Sequence, residues 1–116
     1  MPKTFKTHAL TAARTLDLKK AEHVTVLDAR KSSPLADYLV LCTALSRPHF
    51  EALERAVTEA LAGDGLRVHH RAKPQTDVWR VIDFGGLIVH VMSAESRELY
   101  ALEKLHDGAK EISWRK

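Results

Sequence analysis

Residues 81–92 read Val81-Ile82-Asp83-Phe84-Gly85-Gly86-Leu87-Ile88-Val89-His90-Val91-Met92. Two strand-forming runs flank a glycine pair, the signature of a two-residue primed hairpin turn, in which both central positions can take positive φ. That turn fixes the register. Phe84 faces Leu87, Asp83 faces Ile88, Ile82 faces Val89 and Val81 faces His90. Further out, Arg80 faces Val91 and Trp79 faces Met92.

Side chains alternate across a strand, so the two faces of this hairpin separate. Ile82, Phe84, Leu87, Val89 and Val91 form a core face, with Arg80 as its exception. The other face carries Trp79, Val81, Asp83, Ile88, His90 and Met92. It is apolar but punctuated by a carboxylate, an imidazole and an indole, the composition of a protein interface core. Two readings of it stay open: a surface that meets a partner, or a face covered by helices.

The turn also spells Asp83-Phe84-Gly85, the tripeptide with which protein kinases hold magnesium. A kinase needs a far longer chain, a Gly-rich phosphate loop and a strand lysine. This chain has 116 residues and neither element. The tripeptide belongs to the hairpin, not to a metal site.

Upstream, residues 6–20 predict a modestly amphipathic helix, with Leu10, Ala13 and Leu16 near one side together with Ala9 or Ala21. Val24 to Ala29 predicts a strand and Lys31-Ser32-Ser33-Pro34 a turn. Ala36 to Thr43 is apolar enough for a strand covered on both faces, hence central in its sheet. Ser46 is placed to cap a helix with Pro48 in its first turn. Phe50, Leu53, Val57, Ala60 and Leu61 then fall on one helical face, the strongest periodicity in the chain. Gly63-Asp64-Gly65 stops that helix, and Leu66 to Arg71 predicts a third strand. Downstream of the hairpin, Ser93 caps a last helix with Leu99, Leu102 and Leu105 inward. The tail Lys110-Glu111-Ile112-Ser113-Trp114 either adds a strand or packs down. The fold class is α/β (α+β): one mixed five-stranded sheet with packed helices, in a single domain over 1–116.

Hydrophobic residues at 45% and charged ones at 28% describe a soluble globular protein, and +3 formal charge describes a mildly basic one. The two signs are interspersed, which is no nucleic-acid signature by itself. The single cysteine, Cys42, allows no intrachain disulfide and sits in an apolar run, where a buried inert thiol is expected. No stretch approaches the roughly 20 apolar residues of a membrane span. The segment MPKTFKTHAL lacks the apolar core of a secretory signal, so a cytoplasmic location is expected.

Candidate chemistry is sparse. There are seven histidines but no His-x-x-x-His or Cys-x-x-Cys spacing, and His69 and His70 point to opposite faces of a strand, so no metal or other cofactor is expected. Asp28, Asp37 and Asp83 lie at strand ends and could gather around magnesium. Two-metal nucleotidyl transfer, however, wants paired carboxylates on one strand face beside a Gly-Ser turn, and the chain has neither. No nucleophile elbow is present. The sequence is expected not to encode an enzyme.

Four ordered blocks together, KKAEHVTVLDAR (19–30), LADYLVLCTALSRPHFEALERAVTEAL (35–61), VWRVIDFGGLIVHVM (78–92) and RELYALEKL (97–105), resemble the ribosomal silencing factor family, also called the Iojap family. The resemblance covers about residues 10–107. Its Ala-Asp-Tyr falls on Ala36, Asp37 and Tyr38, and its hairpin motif on Trp79, Asp83, Phe84 and Gly85. Its Val-His falls on Val89 and His90. The last block places Arg97, Glu98, Tyr100, Leu102 and Glu103. Position 86 is Gly where the family has Asp, and position 106 is His where it has Trp.

The resemblance implies a nucleotidyltransferase-like topology without the catalytic residues. It further implies binding to the large ribosomal subunit through ribosomal protein L-fourteen, steric blockage of small-subunit joining and repression of translation. Organelle members are linked to ribosome assembly, and the free protein commonly forms a homodimer. The expected partner-binding residues are thus Asp37, Tyr38, Trp79, Val81, Asp83, Ile88, His90, Met92 and Tyr100, with Gly85 and Gly86 shaping the turn. Direct RNA contact, through Lys19, Lys20, Arg30, Lys31, Arg67 and Arg71, is at most secondary.

Overall fold

The computed structural model describes residues 4–31, 36–71, 78–100 and 109–114. Helix α1 spans Phe5–Leu18, strand β1 Glu22–Asp28 and strand β2 Tyr38–Thr43. Helix α2 (Arg47–Gly63) follows, then β3 (His70–Arg71), β4 (Trp79–Asp83), β5 (Leu87–Met92), α3 (Ala94–Tyr100) and β6 (Lys110–Ile112). The strands form one sheet in the order β3-β4-β5-β2-β1-β6. Among the described residues β2 and β5 are the only parallel neighbours, and every other pairing is antiparallel. The sheet is therefore two antiparallel triplets joined along one parallel seam.

The five expected strands are all present, and the tail supplies a sixth. Lys110–Ile112 pairs with β1. The segment also packs down: Trp114 is buried, its indole N–H donates to the Val24 carbonyl at 3.0 Å, and its own carbonyl accepts from Arg14 Nε at 3.0 Å. The third strand is shorter than predicted. His70 pairs with Asp83, the last residue of β4, and His69 N–H donates to Asp83 O at 2.7 Å, so residues 66–68 run past the hairpin tip with no strand to join. Leu66 and Val68 pack against the core instead.

Helix α1 begins at Thr4, whose hydroxyl accepts from the Thr7 N–H, and buries Ala9, Ala12, Ala13 and Leu16. Alanines at this spacing let the helix lie close on the sheet. Its end is a left-handed Lys20, with Ala21 N–H bonded to Leu16 O and Lys20 N–H to Asp17 O, a Schellman cap. Ser46 caps α2 by accepting from His49 N–H, and Phe50, Leu53, Val57 and Leu61 are buried as the periodicity requires. Both helices pack on one sheet face, against Val40, Cys42, Ile82, Val89 and Val91. On the same face Arg80, the exception in the core-facing set, pairs with Glu54 of α2 at 3.1 Å and lies over the Phe50 ring.

The opposite face holds a smaller cluster of Leu27, Ala29, Ala36, Leu39, Leu41 and Met92. Helix α3 crosses one end of it. Ser93 caps α3 by accepting from Ser96 N–H, and Arg97 reaches Thr25 and Thr43, whose side chains share this face with Leu41. Leu102 and Leu105 lie outside the described residues, as do Glu103 and His106.

Candidate functional site

The hairpin register is the one read from the glycine pair: Asp83 opposite Ile88, Ile82 opposite Val89, Val81 opposite His90, Arg80 opposite Val91, Trp79 opposite Met92. The turn closes with Phe84 N–H bonded to Leu87 O at 2.8 Å. Only Gly85 takes positive φ, at 96°, which is the type II′ pattern rather than a pair of positive residues. Gly86 serves a different need. A Cβ there would lie 2.6 Å from two ring carbons of Phe5, the first residue of α1. Asp83 secures the turn by accepting from Gly85 N–H at 2.7 Å.

On the second face Trp79, Val81, Asp83, Ile88 and His90 are all half-buried. Trp79 and His90 are diagonal neighbours across the β4–β5 pair. The indole N–H donates to His90 Nδ1 at 3.0 Å, with ring centroids 6.0 Å apart. A neutral His90 therefore carries its proton on Nε2, and its position is fixed from one side. Val78, just before Trp79, is an exposed aliphatic at 53%.

Not every expected contact residue reaches the surface. Met92 is fully buried under the α3 end of the face, and Tyr38 is only 4% exposed, its ring packed into the main core. Asp37 is exposed, and its backbone ties the β1–β2 connection to the hairpin: Asp37 and Tyr38 N–H both donate to Gly86 O, and Asp37 O accepts from Ala29 N–H. Tyr100 ends α3, and its side chain lies outside what the structure describes. The half-buried strip thus centres on Trp79 and His90, with helix cover at the Met92 end and an open hairpin end.

The three aspartates considered for magnesium do share one end of the sheet, yet each is occupied separately. Asp83 caps the turn, Asp28 pairs bidentately with Arg30 at 2.7 and 2.9 Å, and Asp37 is exposed. Among the described residues no group of three His, Cys, Asp or Glu side chains is placed to hold a metal ion. The Arg30 hydrogen bond holds the Asp28 carboxyl down to about 2. A carboxyl lowered on folding stabilises above its unfolded value and loses that contribution as pH falls through its folded one. We expect carbon-detected NMR to find the Asp28 midpoint near 2, and Arg30→Ala to return it toward 3.8. An unchanged midpoint in the variant would dismiss the pair as its cause. Burial pushes the Cys42 thiol up to about 12, so it carries no thiolate at neutral pH. No helix among the described residues is long and apolar enough to cross a membrane.

Comparison with known proteins assigns the chain to a family. The family model described as ribosomal silencing factor during starvation matches residues 2–116. This chain belongs to that family. A silencing factor of Treponema pallidum is 40% identical over 88 residues, covering 74% of this chain and 78% of that protein. A mouse protein named mitochondrial assembly of ribosomal large subunit protein 1 is 28% identical over 90 residues. That match takes in 75% of this chain but only 40% of the mouse protein. A crystal structure of a protein from Chromobacterium violaceum superposes with a TM-score of 0.85 over 96% of this chain and 92% of its own, at 24% identity, and so speaks for the fold alone.

Proposed function

We propose that this chain is a cytoplasmic ribosomal silencing factor that docks on the large ribosomal subunit through the Trp79–His90 face. It contacts ribosomal protein L-fourteen there and blocks small-subunit joining by its bulk. The observation that carries this reading is the Trp79–His90 pair, a half-buried aromatic couple on a sheet face poor in charge. Family membership supports the ribosome as target, and the mouse relative's name supports the large subunit. Steric blockage needs affinity and bulk but no bond-breaking chemistry, and an interface of about 1,600 Å² in total is enough for stable docking. When free, the same face pairs with a second copy, so dimer and ribosome compete for it. The mouse relative's name also favours a second reading, in which the docked chain acts while the large subunit is being assembled.

Co-sedimentation with purified large and small subunits, kept separate and run at two salt concentrations, tests the proposal. Stoichiometric binding to the large subunit alone, persisting at the higher salt, is expected. Trp79→Ala should weaken that binding by more than about 1 kcal/mol while the fold survives, since buried aromatics dominate such interfaces. Binding to neither subunit, or equal salt-labile binding to both, would defeat the reading. A folded Trp79→Ala that binds normally would move the docking face elsewhere.

A further inference from the structure

At the edge of the sheet away from Trp79, an open cavity of about 590 Å³ is lined by Asp28, Arg30, Lys31 and Lys110. The fold gathers these residues from three places. Asp28 ends β1, and Lys110 begins β6 directly opposite it, so their side chains leave the sheet on the same side. Arg30 and Lys31 follow β1 as the chain turns away. Asp28 spends both oxygens on Arg30, through Nε and one terminal nitrogen. Arg30 also lies 5.5 Å from the centre of the Tyr38 ring, which holds the guanidinium from behind. The structure gives the Lys31 and Lys110 side chains no hydrogen bond or ion pair with any described residue.

We propose that this cavity is a contact site for a phosphodiester of ribosomal RNA, held by Lys31 and Lys110 with the free edge of Arg30. The described side chains that line it are all charged, and three of the four are cations. Three cations against one carboxylate leave the site net positive, which suits a backbone phosphate. Adjacent strands lie roughly 5 Å apart, so the β1–β6 edge is on the order of 10–15 Å from the β4–β5 pair. A large-subunit surface on which protein and RNA alternate can meet both at once. The site rests on the docking reading and adds to it a charge-based contact separate from the Trp79–His90 face.

The test uses the double variant Lys31→Ala/Lys110→Ala, which removes two exposed charges and no described bond. Binding of the unaltered chain and the variant to purified large subunits is measured over a series of salt concentrations. Each phosphate contact contributes about 0.7–0.9 to the slope of log affinity on log salt. The variant should therefore bind roughly tenfold more weakly at low salt, with a slope shallower by about 1–2. The same slope difference should appear with protein-free large-subunit RNA. An unchanged slope on the subunit overturns the phosphate site and leaves the docking reading standing. A slope difference on the subunit but not on the RNA means that the lysines face an acidic protein segment, which also overturns it. Failure of the unaltered chain to bind large subunits overturns the docking reading, and the site with it.

Discussion

Arg97→Ala should lower the free energy of unfolding by about 2–4 kcal/mol, because several charge-assisted hydrogen bonds converge on this one side chain. Its guanidinium donates to Thr25 Oγ1 at 2.9 Å, to Thr43 Oγ1 at 3.3 Å and to the His23 carbonyl. The part-buried bonds to Thr43 and Thr25 are the most costly to lose, and the carbonyl bond fixes the local backbone. The β1–β2 register is irregular between Glu22 and Thr25, and His23 sits in the left-handed region at φ 49°. A bulged residue turns its carbonyl out of the ladder, and Arg97 takes it. The same side chain ties α3 to the second sheet face, so the α3 cover over Met92 should loosen with it. Arg97→Lys should recover little, since one ammonium cannot reproduce the planar fork that reaches two hydroxyls and a carbonyl. Urea unfolding of both variants checks this. A loss below about 0.5 kcal/mol for Arg97→Ala, the scatter of ordinary surface substitutions, would refute the account.

The second large effect is expected at the hairpin tip. Gly86→Asp installs the residue that the family resemblance places there, yet it should cost this chain about 1–3 kcal/mol. The new Cβ would sit 2.6 Å from Phe5 Cδ2 and Cε2 and 2.9 Å from Cγ, well inside contact distance. The ring must leave, and its packing against the main core goes with it. Phe5→Ala alone should cost about 1–2 kcal/mol for the same lost burial. The double variant should then be little worse than Phe5→Ala, giving a coupling of about 1–3 kcal/mol in a double-mutant cycle, nearly the whole cost of Gly86→Asp. In thermal unfolding each kcal/mol of that coupling is worth roughly 4 °C. Strict additivity of the two changes would show that Phe5 and Gly86 do not share this space. In this chain the Phe5 ring fills the volume that a side chain at position 86 would take.

Much of this architecture could be read in the sequence because local rules and tertiary structure agree. The glycine pair set the β4–β5 register residue for residue, Ser46 and Ser93 capped the helices they precede, and the α2 stripe faced the core. The misses share one origin: they depend on distant partners. Arg80 looked like a flaw in a core face until Glu54 of α2 met it at 3.1 Å. Met92 read as interface by alternation, whereas α3 packs over its end of the sheet and buries it. Tyr38 matched a family motif, but its parity on β2 sends the ring into the core. Lys110 had no visible role until β6 brought it opposite Asp28. Periodicity reports which face a residue occupies; what covers that face is written in another part of the chain.

The parallel seam also bears on the order in which the chain can assemble. Antiparallel neighbours such as β4 and β5 are joined by a tight turn, and closing so short a loop is fast. The seam instead pairs Tyr38 with Leu87 and Thr43 with Met92, across the whole of α2, β3 and β4. Its contacts are the least local of the strand pairings outside β6, and their closure entropy must be met before they contribute. The Trp79–His90 couple belongs to a local hairpin, whereas the β2 side of the sheet reaches it only through the seam. During synthesis the seam stays incomplete until Met92 has left the ribosome, so a chain of a ribosome-associated family completes its central sheet only when about four-fifths of it has emerged from one.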